Sequence, residues 1–379
     1  MAKPRIVALD YIRAISMLGV IGIHTGAYSL SYPAANPHLF ALYEIVSRFS
    51  VPIFFFVSAF GLFLSQPLTK QFHYQTFMYR RFRAVFLPYV AWSILYMLHY
   101  TWLSGDTTIW HHPLIFKYFL FGLASYQLYF LVILIWFYVC MPLWRYLTGL
   151  IVKNLTVGLL SLLLGQIVFN YYSSYILSAN YDNHYLNLAI QHRMSYFVFH
   201  YLFIFLLGAV CAERYSQFLA YLKQKSRHIS TCFLLTLAGM LLHYYYLIYY
   251  NNYSLESAVN TVHQLSPLGV LYTASSALFW FKVFSSPVPN RLSFLLNQLG
   301  KHSYVIYLVH PFVMYYLIII LNRISQLLTP LTTVAFYFTT LALSLVLAWL
   351  IEKLGTRVTP LGLLLTGSFP SRNKLTAKY

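Results

Sequence analysis

The sequence predicts an all-α integral membrane protein with about ten transmembrane helices and both termini in the cytoplasm. Three observations predict this fold. Of the 379 residues, 60% are hydrophobic and only 8% are charged, which is too little charge for the surface of a soluble domain. Apolar stretches of about 20 residues, each long enough to cross a bilayer, recur along the whole chain. The lysines and arginines fall between these stretches as the positive-inside rule requires.

Ten apolar stretches are interpreted as spans, in an order that leaves short polar or basic connections between them. The first contains three ionisable residues, but it lacks the small-residue cleavage site of a signal peptide, so we interpret it as a span too. The others are separated by loops with turn-forming or charged residues. The predicted spans are 7–29, 42–65, 84–103, 127–147, 155–177, 196–212, 229–250, 266–284, 302–321 and 331–351.

The formal net charge of +18 follows the predicted topology. With the N-terminus inside, only Lys117, Arg193 and Arg323 fall on the outer side, and the spans themselves hold Arg13 and Arg48. The other basic residues are cytoplasmic, including Lys3 and Arg5. A nucleic-acid partner needs basic residues clustered on one folded face, so we exclude it. We expect a plasma-membrane protein with one transmembrane domain, 1–352, and a short basic cytoplasmic tail, 353–379.

The first span, LDYIRAISMLGVIGIH, carries Asp10, Arg13 and His24. Eleven residues separate Arg13 from His24, which returns them to nearly the same helix face about 16 Å apart along the axis. Asp10 lies three residues before Arg13 and shares that face. One interpretation is an ion pair of Asp10 and Arg13 at the membrane edge, with Arg13 snorkelling. It leaves His24 unexplained, so we favour a functional stripe facing a cavity.

Two further segments place basic residues at or in the membrane. Glu44 and Arg48 form an i,i+4 pair in the second span, and either a surface ion pair or a cavity lining fits them. The segment YRRFRAVFLPY (79–89) opens the third span with three arginines, among them Arg81 and Arg83. These arginines either set the topology or bind a phosphorylated cytoplasmic molecule, because the guanidinium fork matches phosphate.

A third cluster lies in LGKHSYVIYLVHPF, residues 299–312. Ser303 and His310 are seven residues apart and share one face, and Lys301 lies at the predicted cytoplasmic mouth. His310 precedes a proline, so it either bonds backbone that the proline leaves unpaired or lines a cavity. No metal-ligand spacing accompanies these histidines, and we expect neither a metal nor a bound cofactor.

Four stretches together resemble the acyltransferase-3 family of integral membrane acyltransferases. They are ALDYIRAISMLGVIGIH, VPIFFFVSAFGLF (51–63), YQLYFLVILIWFYVCMPL (126–143) and LGKHSYVIYLVHP, and they occur in the family's order along nearly the whole chain. The first resembles the family's Asp-x-x-Arg followed by ten residues and His. The chain ends soon after its last span without a hydrolase-like domain, so we expect the stand-alone type that modifies surface polysaccharides.

The resemblance implies transfer of an acyl group, commonly acetyl, from cytoplasmic acyl-CoA to a hydroxyl of an envelope glycan or its lipid-linked precursor. His24 matches the family's essential histidine and Arg13 its essential arginine, with Asp10 as the third member of the motif. Arg81, Arg83 and Lys301 are then candidates for binding the CoA phosphates. Glu44, Arg48, Ser303 and His310 are candidates for lining the acceptor site or the cavity.

The residues leave two other functions open. A polysaccharide or lipid-linked-sugar exporter would use the same buried polar stripe as a path, without covalent chemistry and without acyl-CoA. The second is a catalytically inactive scaffold in an envelope complex, and the joint presence of Arg13 and His24 argues against it. Transfer to an amine in place of a hydroxyl, the acceptor itself and the oligomeric state stay open.

Overall fold

The structure, a computed structural model, describes residues 6–32, 35–324 and 328–368; Lys3, Arg5 and the last part of the predicted tail, 369–379, lie outside them. The described residues are helical, with no β-strand among them. We number the longer helices in chain order: α1 Val7–Ser29, α2 Pro37–Ser65, α3 Tyr74–Ser104, α4 Leu114–Phe121, α5 Tyr129–Val139, α6 Met141–Lys153, α7 Leu155–Ile176, α8 His184–Gln191, α9 Val198–Glu213, α10 Tyr215–Gln224, α11 Ser226–Tyr249, α12 Leu255–Thr261, α13 Pro267–Phe284, α14 Asn290–Arg323, α15 Pro330–Arg357 and α16 Thr359–Thr366.

The predicted all-helical membrane fold is confirmed. Within the described residues, seven helices are long and apolar enough to cross a bilayer: α1, α2, α3, α7, α11, α14 and α15. Two bent pairs, α5–α6 and α9–α10, raise the number to nine if each is one span. The predicted eighth span, 266–284, corresponds to α13, an 18-residue helix that is not among these nine.

The fourth predicted span is bent, and the helix of the sixth predicted span is followed at once by a sharp turn. The axis turns by 71° between α5 and α6. Pro142 stands in the first turn of α6, where its missing N–H interrupts the helical hydrogen-bond ladder. The axis turns by 102° between α9 and α10, so residues 213–228, the connection between the sixth and seventh predicted spans, contain a helix. The sequence did not predict this helix, because the residues of α10 mix apolar and polar types and do not form a long apolar stretch.

The helices differ in how far the protein itself buries them. In the most apolar 18-residue stretch of each helix, 67% of the residues of α1 and 61% of those of α2 are buried, whereas α11 and α15 each reach only 22%.

The backbones of the central helices come close together. A Cβ at Gly300 of α14 would collide with the carbonyl oxygen of Asp10, and one at Gly208 of α9 with that of Phe56. The polar stripe of α1 therefore belongs to one of the most buried helices of the bundle.

The beginning of the predicted tail is folded. α15 continues to Arg357, and α16 turns back against it so that Gly355 and Gly362 meet at their backbones. The indole Nε1 of Trp92 in α3 donates a hydrogen bond of 3.0 Å to the carbonyl oxygen of Leu365. α16 is thereby fixed to α3, near the segment that carries the predicted donor-binding arginines.

Candidate active site

The polar stripe of α1 faces two cavities that follow one another along the helix. Arg13 lines the first and His24 lines the second. Asp10 is buried, and its Oδ1 accepts a hydrogen bond of 2.8 Å from Nη1 of Arg13. The ion pair therefore forms, and the guanidinium of Arg13 also lines a cavity.

The first cavity, called the vestibule here, lies beside the beginning of α1 and has a volume of about 390 Å³. Its polar lining includes Arg13, Arg81, Ser303 and three tyrosines. The hydroxyl of Ser303 donates to the carbonyl oxygen of Gly300 at 2.9 Å. The full lining is Arg13, Phe54, Val57, Ser58, Gly61, Leu62, Ser65, Arg81, Phe130, Leu134, Tyr138, Ser303, Tyr304 and Tyr307.

The three basic residues predicted to bind the donor are placed differently. The guanidinium of Arg81 lies over the ring of Tyr138, 5.7 Å from its centroid, and enters the vestibule wall. Arg83 instead packs on Tyr79, with Nη1 3.3 Å from the tyrosine oxygen, and does not line the vestibule. Lys301 is exposed and is also absent from its wall.

The second cavity, called the inner chamber here, surrounds His24 and has a volume of about 60 Å³. Its lining is Val20, Ile23, His24, Arg48, Val51, Phe54, Gln127, Tyr129, Phe130, Gln264 and Tyr307. Within the part of the chain that the structure describes, Nε of Arg48 and Nε2 of Gln127 are buried without a hydrogen-bond partner. Two N–H donors that the protein leaves unsatisfied thus belong to residues of this chamber.

Glu44 and Arg48 owe their position to irregular turns in α2. Glu44 lies in a π-helical turn, Ala41–Ile45, and Arg48 in the 3₁₀ turn that follows it, Val46–Phe49. Nη2 of Arg48 is 3.1 Å from Oε2 of Glu44, with the side chains only 12% and 5% exposed. Nη2 also donates to the carbonyl oxygen of Val259 at 3.3 Å. The pair is buried, and Arg48 lines the chamber, which excludes the surface ion pair.

Two rings lie against His24. The ring centroid of Tyr126 is 4.4 Å from that of His24, and His310 stacks on it at 5.3 Å with 24° between the planes. His310 is fully buried, and its Nδ1 donates to the carbonyl oxygen of Ile306 at 3.2 Å. In a neutral ring this bond leaves the lone pair on Nε2, which has no hydrogen-bond partner among the described residues. His310 therefore bonds backbone and also supports the His24 ring.

Several residues at this site could not be selected from sequence patterns. Gln127 and Tyr126 fall in a stretch quoted only for its resemblance, and Gln264 lies between two predicted spans. Outside the two cavities, Oε2 of Glu352 is 2.9 Å from Nδ1 of the buried His302. Glu352 is one of only seven acidic residues in the chain, and this scarcity is the feature by which the sequence could have drawn attention to it.

Comparison with known families identifies the chain. The family model described as an acyltransferase domain, of the acyltransferase-3 type, matches residues 6–352. The chain belongs to the acyltransferase-3 family. A search of curated proteins found no significant match, and a search of solved structures found none either.

Membership of the acyltransferase-3 family, with the apolar helices, makes this chain a multi-pass membrane acyltransferase. The match includes the helices that carry both cavities, from α1 through α14. The two residues that resemble the family's essential pair, Arg13 and His24, line consecutive cavities on one helix.

Proposed function

We propose that this protein transfers an acyl group, most simply acetyl, from acyl-CoA in the cytoplasm to a hydroxyl of an envelope glycan or of its lipid-linked precursor. The observation that carries the proposal is the placement of Arg13 in the vestibule and His24 in the inner chamber, on one face of a central helix. CoA has phosphates at one end and a thioester at the end of a long narrow arm. Two cavities in series, cationic first and histidine-containing second, match that shape.

The vestibule is suited to the CoA end of the donor. Arg13 and Arg81 supply guanidinium groups, which form strong paired hydrogen bonds to phosphate. Arg83 and Lys301 lie outside the wall and contribute positive charge near the entrance. Ser303, Tyr138 and Tyr304 line the narrowing passage with hydroxyls that can bond the amides of the pantetheine arm.

The inner chamber is suited to the chemical step. His24 takes the proton of the acceptor hydroxyl as its oxygen attacks the thioester carbonyl, since a neutral imidazole carries a nitrogen lone pair that can accept it. The new C–O bond forms, the C–S bond breaks, and the proton passes to the leaving thiolate to give free CoA. Nε2 of Gln127 and Nε of Arg48 are the donors available to the carbonyl oxygen as it becomes negative. His310 and Tyr126 hold the imidazole ring of His24 in place.

We also propose ten crossings with both termini in the cytoplasm, as a single transmembrane domain over 1–352 in the plasma membrane. The contacts of α13 support its crossing. It runs antiparallel to α11, since Ser275 meets Thr236 while Lys282 meets Ser230. When α13 is counted as a span, α1 is the first span and α14 the ninth. These two helices must then be parallel, because successive spans alternate in direction.

The contacts between α1 and α14 agree with that order. Gly300 lies against Asp10, near the start of α1, and His310 stacks on His24, near its end. Both helices therefore run in the same direction, as two odd-numbered spans do. The vestibule then opens on the cytoplasmic side, where CoA esters are, and the inner chamber lies toward the side of the envelope acceptor.

The test is transfer of radiolabelled acetyl-CoA by the purified protein in nanodiscs, with cell-envelope extract as the acceptor source. We expect turnover by the wild type and its loss in His24→Ala and Arg13→Ala. His228→Ala and Arg227→Ala are matched controls, because both residues are exposed outside the two cavities. Far-UV circular dichroism and gel filtration establish that each variant is folded. If the wild type neither binds nor turns over acetyl-CoA, the exporter alternative takes first place.

A further inference from the structure

The two cavities share three lining residues, Phe54, Phe130 and Tyr307. They come from three different helices, and on α2 and α5 the shared phenylalanine lies between a residue that lines only the vestibule and one that lines only the chamber. On α14, Ser303 lines the vestibule and Tyr307 lines both cavities, while His310, one turn further along, stacks on His24 of the chamber. The three aromatic side chains therefore form a collar at the boundary between the two cavities.

The collar is fixed by contacts among its own members and with their neighbours. The rings of Phe54 and Phe130 meet edge to face at 6.0 Å, and those of Phe130 and Tyr307 at 5.7 Å. The hydroxyl of Tyr307 donates to the backbone carbonyl of Gln127. Phe55, behind the collar, packs on Phe130 at 4.6 Å. Phe130 thus packs against Phe54, Phe55 and Tyr307, and these contacts hold its ring at the boundary.

The chamber beyond the collar is small. Its volume is about 60 Å³, against about 390 Å³ for the vestibule. An apolar cavity of about 150 Å³ accepts a six-carbon benzene ring. A cavity well under half that size accommodates an acyl group of two or three carbons, and a longer chain would have to displace Phe130 or Phe54.

We propose that Phe54, Phe130 and Tyr307 select the donor by the length of its acyl chain, restricting it to short acyl groups. This inference rests on the proposed function, since it presumes that the thioester passes from the vestibule to His24. It adds the physical basis of donor specificity. Replacing Phe130 with a smaller side chain widens the opening and adds its lost volume to the floor of the chamber, so longer chains then fit.

The experiment measures kcat/KM for acetyl-, butyryl- and hexanoyl-CoA in nanodiscs for the wild type, Phe130→Ala and Phe130→Leu. We expect the wild type to prefer acetyl-CoA over butyryl-CoA by at least about tenfold, and Phe130→Ala to reduce that preference by at least about tenfold. Phe130→Leu is the milder variant that keeps α5 packed, and a smaller change in the same direction is expected. Phe137→Leu is the matched control, because Phe137 is a buried aromatic on the same helix that lines neither cavity.

The outcomes separate the collar from the proposed function. Turnover of acetyl-CoA with an unchanged chain-length preference in folded Phe130 variants overturns the collar and leaves the acyltransferase proposal intact. Equal kcat/KM values of the wild type for hexanoyl-CoA and acetyl-CoA also overturn the collar and leave the acyltransferase proposal intact. If the wild type turns over none of the three esters, the proposed function fails and the collar inference fails with it.

Discussion

The buried pair of Glu44 and Arg48 gives a prediction whose size follows from the structure. We consider Arg48→Met, Glu44→Met and the double variant. The charged atoms are 3.1 Å apart, with side chains 12% and 5% exposed. At an effective dielectric constant of about 20, Coulomb's law gives an attraction of about 5 kcal/mol. Removing one partner forfeits this attraction but keeps the cost of burying the other charge, so each single variant should lose about 3–5 kcal/mol of unfolding free energy.

The two single variants should not be equal. Without Glu44, the guanidinium of Arg48 still donates to the carbonyl oxygen of Val259 at 3.3 Å and, more weakly, to Oε1 of Gln264 at 3.4 Å. Without Arg48, the carboxylate of Glu44 loses the cation beside it. Arg48→Met should therefore cost more than Glu44→Met. The double variant buries two apolar side chains of suitable length, and it should regain most of the loss.

The assay is unfolding by SDS titration in mixed micelles, followed by circular dichroism. Arg83→Met is the control, because Arg83 is a basic residue that lines neither cavity. Single-variant losses below about 1 kcal/mol, the value of an exposed ion pair, would show that the pair is solvated. A double variant as unstable as the worse single variant would also refute the reasoning, since it would mean that the two charges are not coupled.

Three further predictions follow from other contacts. Gly300→Ala should lower the unfolding free energy by about 1–3 kcal/mol, because the added Cβ meets the backbone of α1. Gly165→Ala is the control and should not destabilise the protein, because the space around its Cβ is open. Thermal unfolding in detergent compares the two variants. Trp92→Phe should lower the unfolding free energy by about 1 kcal/mol and expose α16 to proteolysis, because the hydrogen bond from the indole to the backbone of α16 is lost. Arg81→Ala should raise the KM for acetyl-CoA about tenfold and Arg83→Ala clearly less, because only Arg81 lines the vestibule; equal effects would contradict that assignment.

Hydrophobicity and charge were sufficient to predict the helical membrane fold, because the length of an apolar stretch is directly tied to bilayer thickness. They could not predict the bends at α5–α6 and α9–α10. A run such as 127–147 has the composition of one span, and only the packing around Pro142 decides where the axis turns. The π-helical turn at Glu44 was likewise hidden, since it depends on how α2 packs against α1.

The candidate site divides in the same way. Ionisable residues inside apolar stretches are conspicuous, so Arg13, His24 and Arg48 could be selected from the sequence. The collar residues could not, because Phe54 and Phe130 are two of 31 phenylalanines in a chain that also has 36 tyrosines. Which aromatic residues face a cavity is decided by helix rotation and by contacts between distant segments, and a single sequence does not display those contacts.

The most direct test of the central claim uses sealed proteoliposomes of known orientation, with cell-envelope extract on both sides as the acceptor source. It measures the free CoA thiol released from acetyl-CoA added to one side. We expect release when acetyl-CoA is supplied on the side where α1 begins, and no release when it is supplied on the opposite side or to His24→Ala. Release that is equal from both sides, or that persists in folded His24→Ala, would contradict a donor path running from Arg13 to His24.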